Sequence, residues 1–148
     1  MIAANAFAHE HRFYHVGKKI CFTGDADKAA EDNFLRYTRE NRIDTDVDVL
    51  KVGHHGGKES SNQPFLDAVL PEYGVISVGM PNTYGHPTVE TLTRLSNMNC
   101  QVFRTDLHGD ITLTVENTDL AWSFAKNAPT TVTLPNITNA FAFYAYAA

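Results

Sequence analysis

Two adjacent imidazoles, His54 and His55, stand between Gly53 and the pair Gly56-Gly57, directly after the apolar run Val47-Asp48-Val49-Leu50-Lys51-Val52. Neutral imidazole is the commonest metal-binding side chain, and flanking glycines let an ion or an oxyanion come close to the backbone. Asp25 follows another apolar run in Thr23-Gly24-Asp25, and His86 lies in Gly79-Met80-Pro81-Asn82-Thr83-Tyr84-Gly85-His86-Pro87 after a third. Three successive strand ends thus carry a carboxylate and three imidazoles. Asp and His are the ligand set of zinc or manganese, whose bound water supplies hydroxide near neutral pH. A loop histidine that only bonds backbone groups is the competing reading for each taken singly.

Further polar residues surround these positions. Gly56-Gly57-Lys58-Glu59-Ser60-Ser61 offers backbone N–H groups, hydroxyls including that of Ser60, and one cation to a phosphate, or else is a plain loop with helix-capping serines. Asn82 and Tyr84 either bond a substrate oxyanion or shape their turn. Arg104-Thr105-Asp106 ends a later strand, where the arginine and aspartate are expected to pair with each other. His9-Glu10-His11 has the one-residue gap of many His-x-His ligand pairs, but with His15 it is expected to form a solvated N-terminal segment, since nothing before it reads as a supporting strand. His108 receives no role. Asn136-Ile137-Thr138 fits the glycosylation triplet, a pattern frequent by chance.

The elements that must position these groups follow from local pattern. Residues 12–23 read as two short strands around a turn at Gly17-Lys18. Asp27 to Tyr37 reads as a helix with acidic residues at its start and basic ones toward its end. Val47–Val52 is a strand, Pro64–Leu70 a short helix stopped by Pro71, and Gly74–Gly79 a buried strand. Pro87 suits the first turn of a helix with Val89, Leu92 and Leu95 on one face, ending near Asn97-Met98-Asn99. Gln101–Thr105 is a strand, Asp106–Gly109 a turn, and Asp110–Val115 and Ala121–Phe124 strands around a turn at Asn117-Thr118-Asp119. The order β-β-α-β-α-β-α-β-β-β predicts an α/β chain, with a mixed sheet covered on at least one face and chemistry at the strand ends.

Totals bound the function. The 148 residues, 43% of them hydrophobic, suffice for one domain with a real core, and no apolar stretch approaches the roughly 20 residues of a membrane span. Nor does the N-terminus read as a signal peptide. Twelve basic against seventeen acidic residues give a net charge of −5, the wrong sign for holding nucleic acid by phosphate neutralisation alone. A bound divalent cation reverses that locally. Cys21 and Cys100 lie in apolar runs and read as buried free thiols.

Taken together, Phe22-Thr23-Gly24-Asp25-Ala26-Asp27, Leu50-Lys51-Val52-Gly53-His54-His55-Gly56-Gly57, Asn82-Thr83-Tyr84-Gly85-His86-Pro87 and Arg104-Thr105-Asp106 resemble the metallo-β-lactamase fold, and most closely its ComEC-like branch in competence proteins and related hydrolases. The resemblance covers roughly residues 13–116. It implies half of a four-layer αββα sandwich that holds one or two zinc or manganese ions and hydrolyses phosphodiesters, DNA among them, or other esters. Asp25 then matches the aspartate that bridges two metals, and His54-His55 the late ligand histidines, with the choice between those two open. The implied catalytic set is Asp25, His55 and His86, with Asn82, Tyr84, His86 and Ser60 toward substrate. Gly57 replaces the serine that commonly follows His-His-Gly.

The family's His-x-His-x-Asp-His motif does not occur here: His9-Glu10-His11-Arg12-Phe13-Tyr14 has Phe and Tyr where Asp and His are required. The expectation is therefore a C-terminal half-domain over residues 1–126, with 127–148 as an appended strand or tail. It would hold metal weakly by itself and expose an apolar face to an N-terminal half-domain, a second copy or residues 127–148. Two alternatives stand beside the nuclease or phosphodiesterase reading: a non-catalytic half-domain that serves as an assembly or binding module, and a phosphorylcholine-type esterase.

Overall fold

Four parallel strands set the frame on which the candidate residues sit. The structure, a computed structural model, describes residues 2–4 and 11–128; His9, the Asn136 triplet and all but two residues of the 127–148 segment lie outside them. In chain order the elements are β1 (Ile2–Ala4), β2 (His11–His15), β3 (Lys18–Phe22), α1 (Lys28–Glu40), β4 (Val49–Lys51), α2 (Gln63–Val69), β5 (Tyr73–Ile76), α3 (Val89–Asn97), β6 (Gln101–Arg104), α4 (Thr105–His108), β7 (Ile111–Glu116) and β8 (Asp119–Phe124). Strands β1 to β6 lie side by side in sequence order in one mixed sheet, while β7 and β8 pair as a separate hairpin. The β1–β2 and β2–β3 pairs are antiparallel and the rest of the sheet is parallel.

Register explains which residues are buried. Cys21 lies opposite Leu50, Leu50 opposite Gly74 and Gly74 opposite Val102, so these four form one row on one face. The apolar sides of α1, α2 and α3 close over it through Phe34, Phe65, Leu66, Val69, Leu92 and Leu95. Gly74 suits that close packing, because a Cβ there would stand 3.2 Å from Cys100 Sγ and 3.4 Å from Val52 Cγ2, so both neighbours would have to shift by a few tenths of an ångström. The neighbouring rows, Ile20-Val49-Tyr73 and Phe22-Lys51-Val75-Phe103, face the other way. There the β7–β8 hairpin covers Tyr73 and Phe103 with Trp122 and Phe124, at ring separations of 4.6 to 5.3 Å. A groove of about 280 Å³ is left between the hairpin and Ile20, Phe22, Lys51 and Val75. Phe22 is 42% exposed on it.

Several expectations change. The N-terminal segment is not simply solvated, because β1 pairs with β2 through Ile2 opposite Phe13. Arg12, 6% exposed, donates to the carbonyls of Asp44 and Thr45 at 2.8 and 3.1 Å and lies over the Phe34 ring at 4.8 Å, while His15 is exposed. Asp27 caps α1 from outside it, accepting from Ala30 N, and the helix runs past Tyr37 to Glu40. Thr88 likewise caps α3, so the buried Pro87 stands before that helix rather than in its first turn. Residues 106–109, expected as a turn, contribute to the single helical turn α4. Val47 and Val52 fall outside the regular ladder of β4, yet their N–H groups still bond Val69 O and Val75 O at 2.8 and 2.9 Å. Among the described residues no helix is long and apolar enough to cross a membrane.

Candidate functional site

The ends of β3 and β4 are tied together before either loop departs. Thr23, fully buried, donates from its hydroxyl to Lys51 O at 3.0 Å, and His54 N donates to Gly24 O at 2.9 Å. Asp25 and the histidine pair therefore leave the sheet side by side. Both His54 (φ 46°, ψ 45°) and His55 (φ 54°, ψ 23°) are left-handed, a conformation that costs a residue with a Cβ roughly 1–2 kcal/mol. Such conformations persist only where surrounding contacts over-determine them. Here Ser60 Oγ donates to Gly53 O at 2.9 Å and to Gly57 O at 3.1 Å, Ser61 Oγ accepts from Gly53 N at 3.3 Å, and Gly57 N donates to His54 O at 2.8 Å.

The three imidazoles come together. The His54 and His86 ring centroids are 5.4 Å apart and those of His54 and His55 6.4 Å. His55 Nδ1 lies 2.6 Å from Ser77 O, and since a carbonyl can only accept, that nitrogen carries the proton. In the neutral ring the Nε2 lone pair is then free, the usual state of an imidazole prepared for a metal. Asn82 holds His86 at both backbone groups: Nδ2 donates to His86 O at 2.7 Å, and Oδ1 accepts from His86 N at 3.2 Å. Burial lowers the basicity of His86, and the neighbouring His54 and His55 lower it further. Tyr84 is 84% exposed, its ring 6.2 Å from that of His86. Together with His55, Val78, Pro81 and Asn82 these residues line an open cleft of about 290 Å³.

Asp25 is exposed on the adjacent loop. Its carboxylate favours the charged form of Lys51, whose basicity burial pulls down. A divalent metal fits this site in the kind of donor present, namely imidazole nitrogens, one of them oriented by a backbone carbonyl, and a carboxylate. It does not fit in donor number: among the described residues, no three His, Cys, Asp or Glu side chains stand together at ligand spacing.

A buried acid and a half-buried arginine that sequence reasoning passed over grip the loop behind the histidines. Glu31, 1% exposed, accepts from the N–H of Ser61 and of Asn62 and from Asn62 Nδ2 at 2.5, 2.9 and 3.0 Å. Burial raises the pKa of this carboxyl despite those donors and the nearby Arg94. Arg94 donates to the carbonyls of Lys58, Ser60 and Ser61 at 2.9 to 3.0 Å. Consequently three of the backbone N–H groups expected to cradle a phosphate are already occupied by the chain itself, that of Ser61 by the Glu31 carboxylate and those of Gly57 and Ser60 by the carbonyls of His54 and Gly57. Ser60 is also corrected, since it is fully buried and its hydroxyl is committed to Gly53 and Gly57 rather than facing substrate. The signal for Glu31 was its spacing: Glu31, Phe34 and Thr38 share the buried face of α1.

At the end of β6 the expected pair forms, with Arg104 bonding Asp106 through Nε at 3.0 Å and a terminal nitrogen at 2.5 Å. His108, assigned no partner from sequence, is fully buried against Phe103 and Phe124, with Nδ1 between the N–H and carbonyl of Arg104.

No family model matches the chain. It is similar to the ComE operon protein 3 of Bacillus subtilis (strain 168), at 35% identity over 101 residues that make up 68% of this chain and 12% of that protein. The competence protein ComA of Neisseria gonorrhoeae is 39% identical over 93 residues, 63% of this chain and 13% of that protein. Recombination protein 2 of Haemophilus influenzae is 33% identical over 92 residues, 62% of this chain and 11% of that protein. The matched segments therefore amount to about one eighth of these relatives.

Proposed function

We propose that this chain carries the C-terminal half of a metallo-β-lactamase-type hydrolase site that cleaves phosphodiesters in a competence-associated, ComEC-like protein. The observation that carries the reading is the convergence of His54, His55 and His86 from two strand ends, with Nδ1 of His55 held by Ser77 O. Similarity to a competence protein and a recombination protein supports the same reading. Asp25, His54 and His55 are the donors this chain would give to zinc or manganese. The remaining ligands come from polypeptide outside the described residues, an N-terminal half-domain being the natural source. When bound, such an ion supplies hydroxide and positive charge at neutral pH. That charge matters for an anionic substrate, because the chain itself carries −5.

The chain's own residues bind and orient. Asn82 fixes the backbone of His86, and burial together with the neighbouring His54 and His55 favours the neutral form of that imidazole, which has a nitrogen lone pair to accept a proton from a reacting group. Tyr84 presents an exposed hydroxyl and ring face to whatever enters the cleft. A second reading, an assembly module without catalysis, is favoured by the lack of three grouped donors among the described residues. Bound Zn²⁺ and Mn²⁺-dependent cleavage of bis(p-nitrophenyl) phosphate separate the two, with p-nitrophenyl phosphorylcholine as the probe for a choline esterase. Hydrolysis is expected to fall at least about tenfold in Asp25→Ala. Hydrolysis unaltered by that substitution refutes the assignment, and absent metal binding together with absent cleavage, in the chain joined to the polypeptide that supplies the remaining ligands, selects the assembly module.

A further inference from the structure

The β5–β6 ladder ends where Ile76 lies opposite Arg104, and beyond it the next residue of β6's chain takes over with its side chain. Thr105 Oγ1 accepts from Val78 N at 2.8 Å and donates to Val78 O at 2.7 Å. The N–H it receives belongs to the Ser77–Val78 peptide, whose carbonyl, Ser77 O, accepts from His55 Nδ1 at 2.6 Å. In a planar peptide the N–H and C=O are fixed relative to each other, so a group that holds one aims the other. We infer that Thr105 is a positioning residue for His55: the chain of bonds from Thr105 Oγ1 through the Ser77–Val78 peptide to His55 Nδ1 sets the imidazole tautomer and turns Nε2 toward the cleft.

Consecutive hydrogen bonds of this kind polarise and strengthen each other. The link also joins distant parts of the chain, since the start of α4 controls a ring in the turn after β4. Partners that orient a ligand histidine typically alter metal affinity by about 10–100-fold. The inference rests on the reading of His55 as a metal donor only for that affinity consequence; the tautomer itself is independent of any hydrolysis.

The test uses the unliganded chain and then Zn²⁺ alone. Long-range ¹H–¹⁵N spectra of the wild-type protein are expected to show His55 protonated at Nδ1, with through-hydrogen-bond coupling to the Ser77 carbonyl carbon. In Thr105→Val, which keeps the shape and removes the hydroxyl, the proton is expected to move to Nε2 in at least part of the population. Zn²⁺ affinity should fall about tenfold, and Thr105→Ser should restore both. Protonation of wild-type His55 at Nε2 overturns the inference, and so does an unchanged tautomer with unchanged Zn²⁺ affinity in Thr105→Val. If the valine variant fails to fold, Thr105→Ala takes its place with the same expected and refuting outcomes, and absence of the wild-type coupling is itself a refutation. Failure to cleave any phosphodiester would sink the proposed activity while leaving this coupling intact.

Discussion

Glu31→Ala removes a carboxylate that no water can replace easily, because the side chain is 1% exposed and sits under the loop that carries the histidines. The substitution leaves the buried N–H of Ser61 and the half-buried N–H of Asn62 without their acceptor, at about 1–3 kcal/mol each, and removes a negative charge near Arg94, which keeps its bonds to the carbonyls of Lys58, Ser60 and Ser61. Relief of the buried charge offsets part of this, so a net loss of about 3 kcal/mol is expected. That is a large fraction of the roughly 5–15 kcal/mol of a typical domain, and corresponds to a Tm lower by about 6–12 °C. Urea unfolding followed by Trp122 fluorescence measures it, and hydrogen exchange at Ser61 and Asn62 localises it. The pH dependence has a definite sign. Burial raises the Glu31 pKa above 4.5, so the folded state holds its proton more tightly than the unfolded one, and this group's contribution to stability declines as pH rises from 4.5 through the folded value. Glu31→Gln keeps one accepting oxygen, loses less than alanine, and abolishes that decline. A loss below about 1 kcal/mol in Glu31→Ala, with amide exchange at Ser61 unchanged, would refute the claim that this carboxylate holds the loop.

The two glycines after the histidines should respond to substitution with very different costs. At Gly57 an added Cβ meets His54 O at 3.2 Å and His86 Cε1 and Nε2 at 3.3 Å, contacts that yield with small shifts at an ordinary φ of −63°. Gly57→Ser should cost no more than about 1 kcal/mol and perturb the His86 ring signals. At Gly56, with φ +81°, a Cβ would lie 2.6 Å from Pro87 Cβ, and Gly56→Ser should cost several-fold more; equal thermal shifts in the two variants would contradict this packing. His86 gives a further pH test in metal-free protein. Its pKa lies below 6.5, so the folded state binds fewer protons than the unfolded state and stability falls as pH drops through 6.5 toward the folded value. Wild type should lose stability relative to His86→Gln over that range, and an NMR titration midpoint at or above 6.5 would count against it.

Strand ends were legible because they depend on local pattern. An apolar run followed by glycine and a polar residue places Asp25 and His54 whatever the rest of the chain does, and the pairing of Arg104 with Asp106 follows from two residues of separation. What stayed hidden depends on contacts far apart in sequence. Ser60 reads as a loop hydroxyl until Gly53 is known to lie above it, and Glu31 reads as a first-turn acid suited to the helix dipole until Ser61, 30 residues on, is seen to donate to it. His108 has no local sign of burial, since Phe103 and Phe124 reach it only after the hairpin folds back. The β1 strand was missed for a related reason: three residues pair only because β2 offers an edge.

The cost of the histidine turn bears on what the site is for. Two consecutive left-handed residues bearing a Cβ forfeit about 2–4 kcal/mol together, where glycine would adopt the same backbone freely. The surroundings offset that cost with buried groups, Ser60 and Ser61 on Gly53, Thr91 Oγ1 on Gly57 O at 3.0 Å and Glu31 on the loop that follows, together with the half-buried Arg94. A turn needed only to join β4 to α2 has no use for imidazole at either position, least of all two that are exposed, one with its ring 5.4 Å from that of His86 and the other lining the same cleft as His86. If the turn is only a connector, His54→Gly with His55→Gly should stabilise the chain by a few kcal/mol and leave Zn²⁺ binding unaltered. If the imidazoles are donors, the same double variant should be more stable and bind Zn²⁺ more weakly. Stability gained at the expense of binding is the outcome this geometry favours.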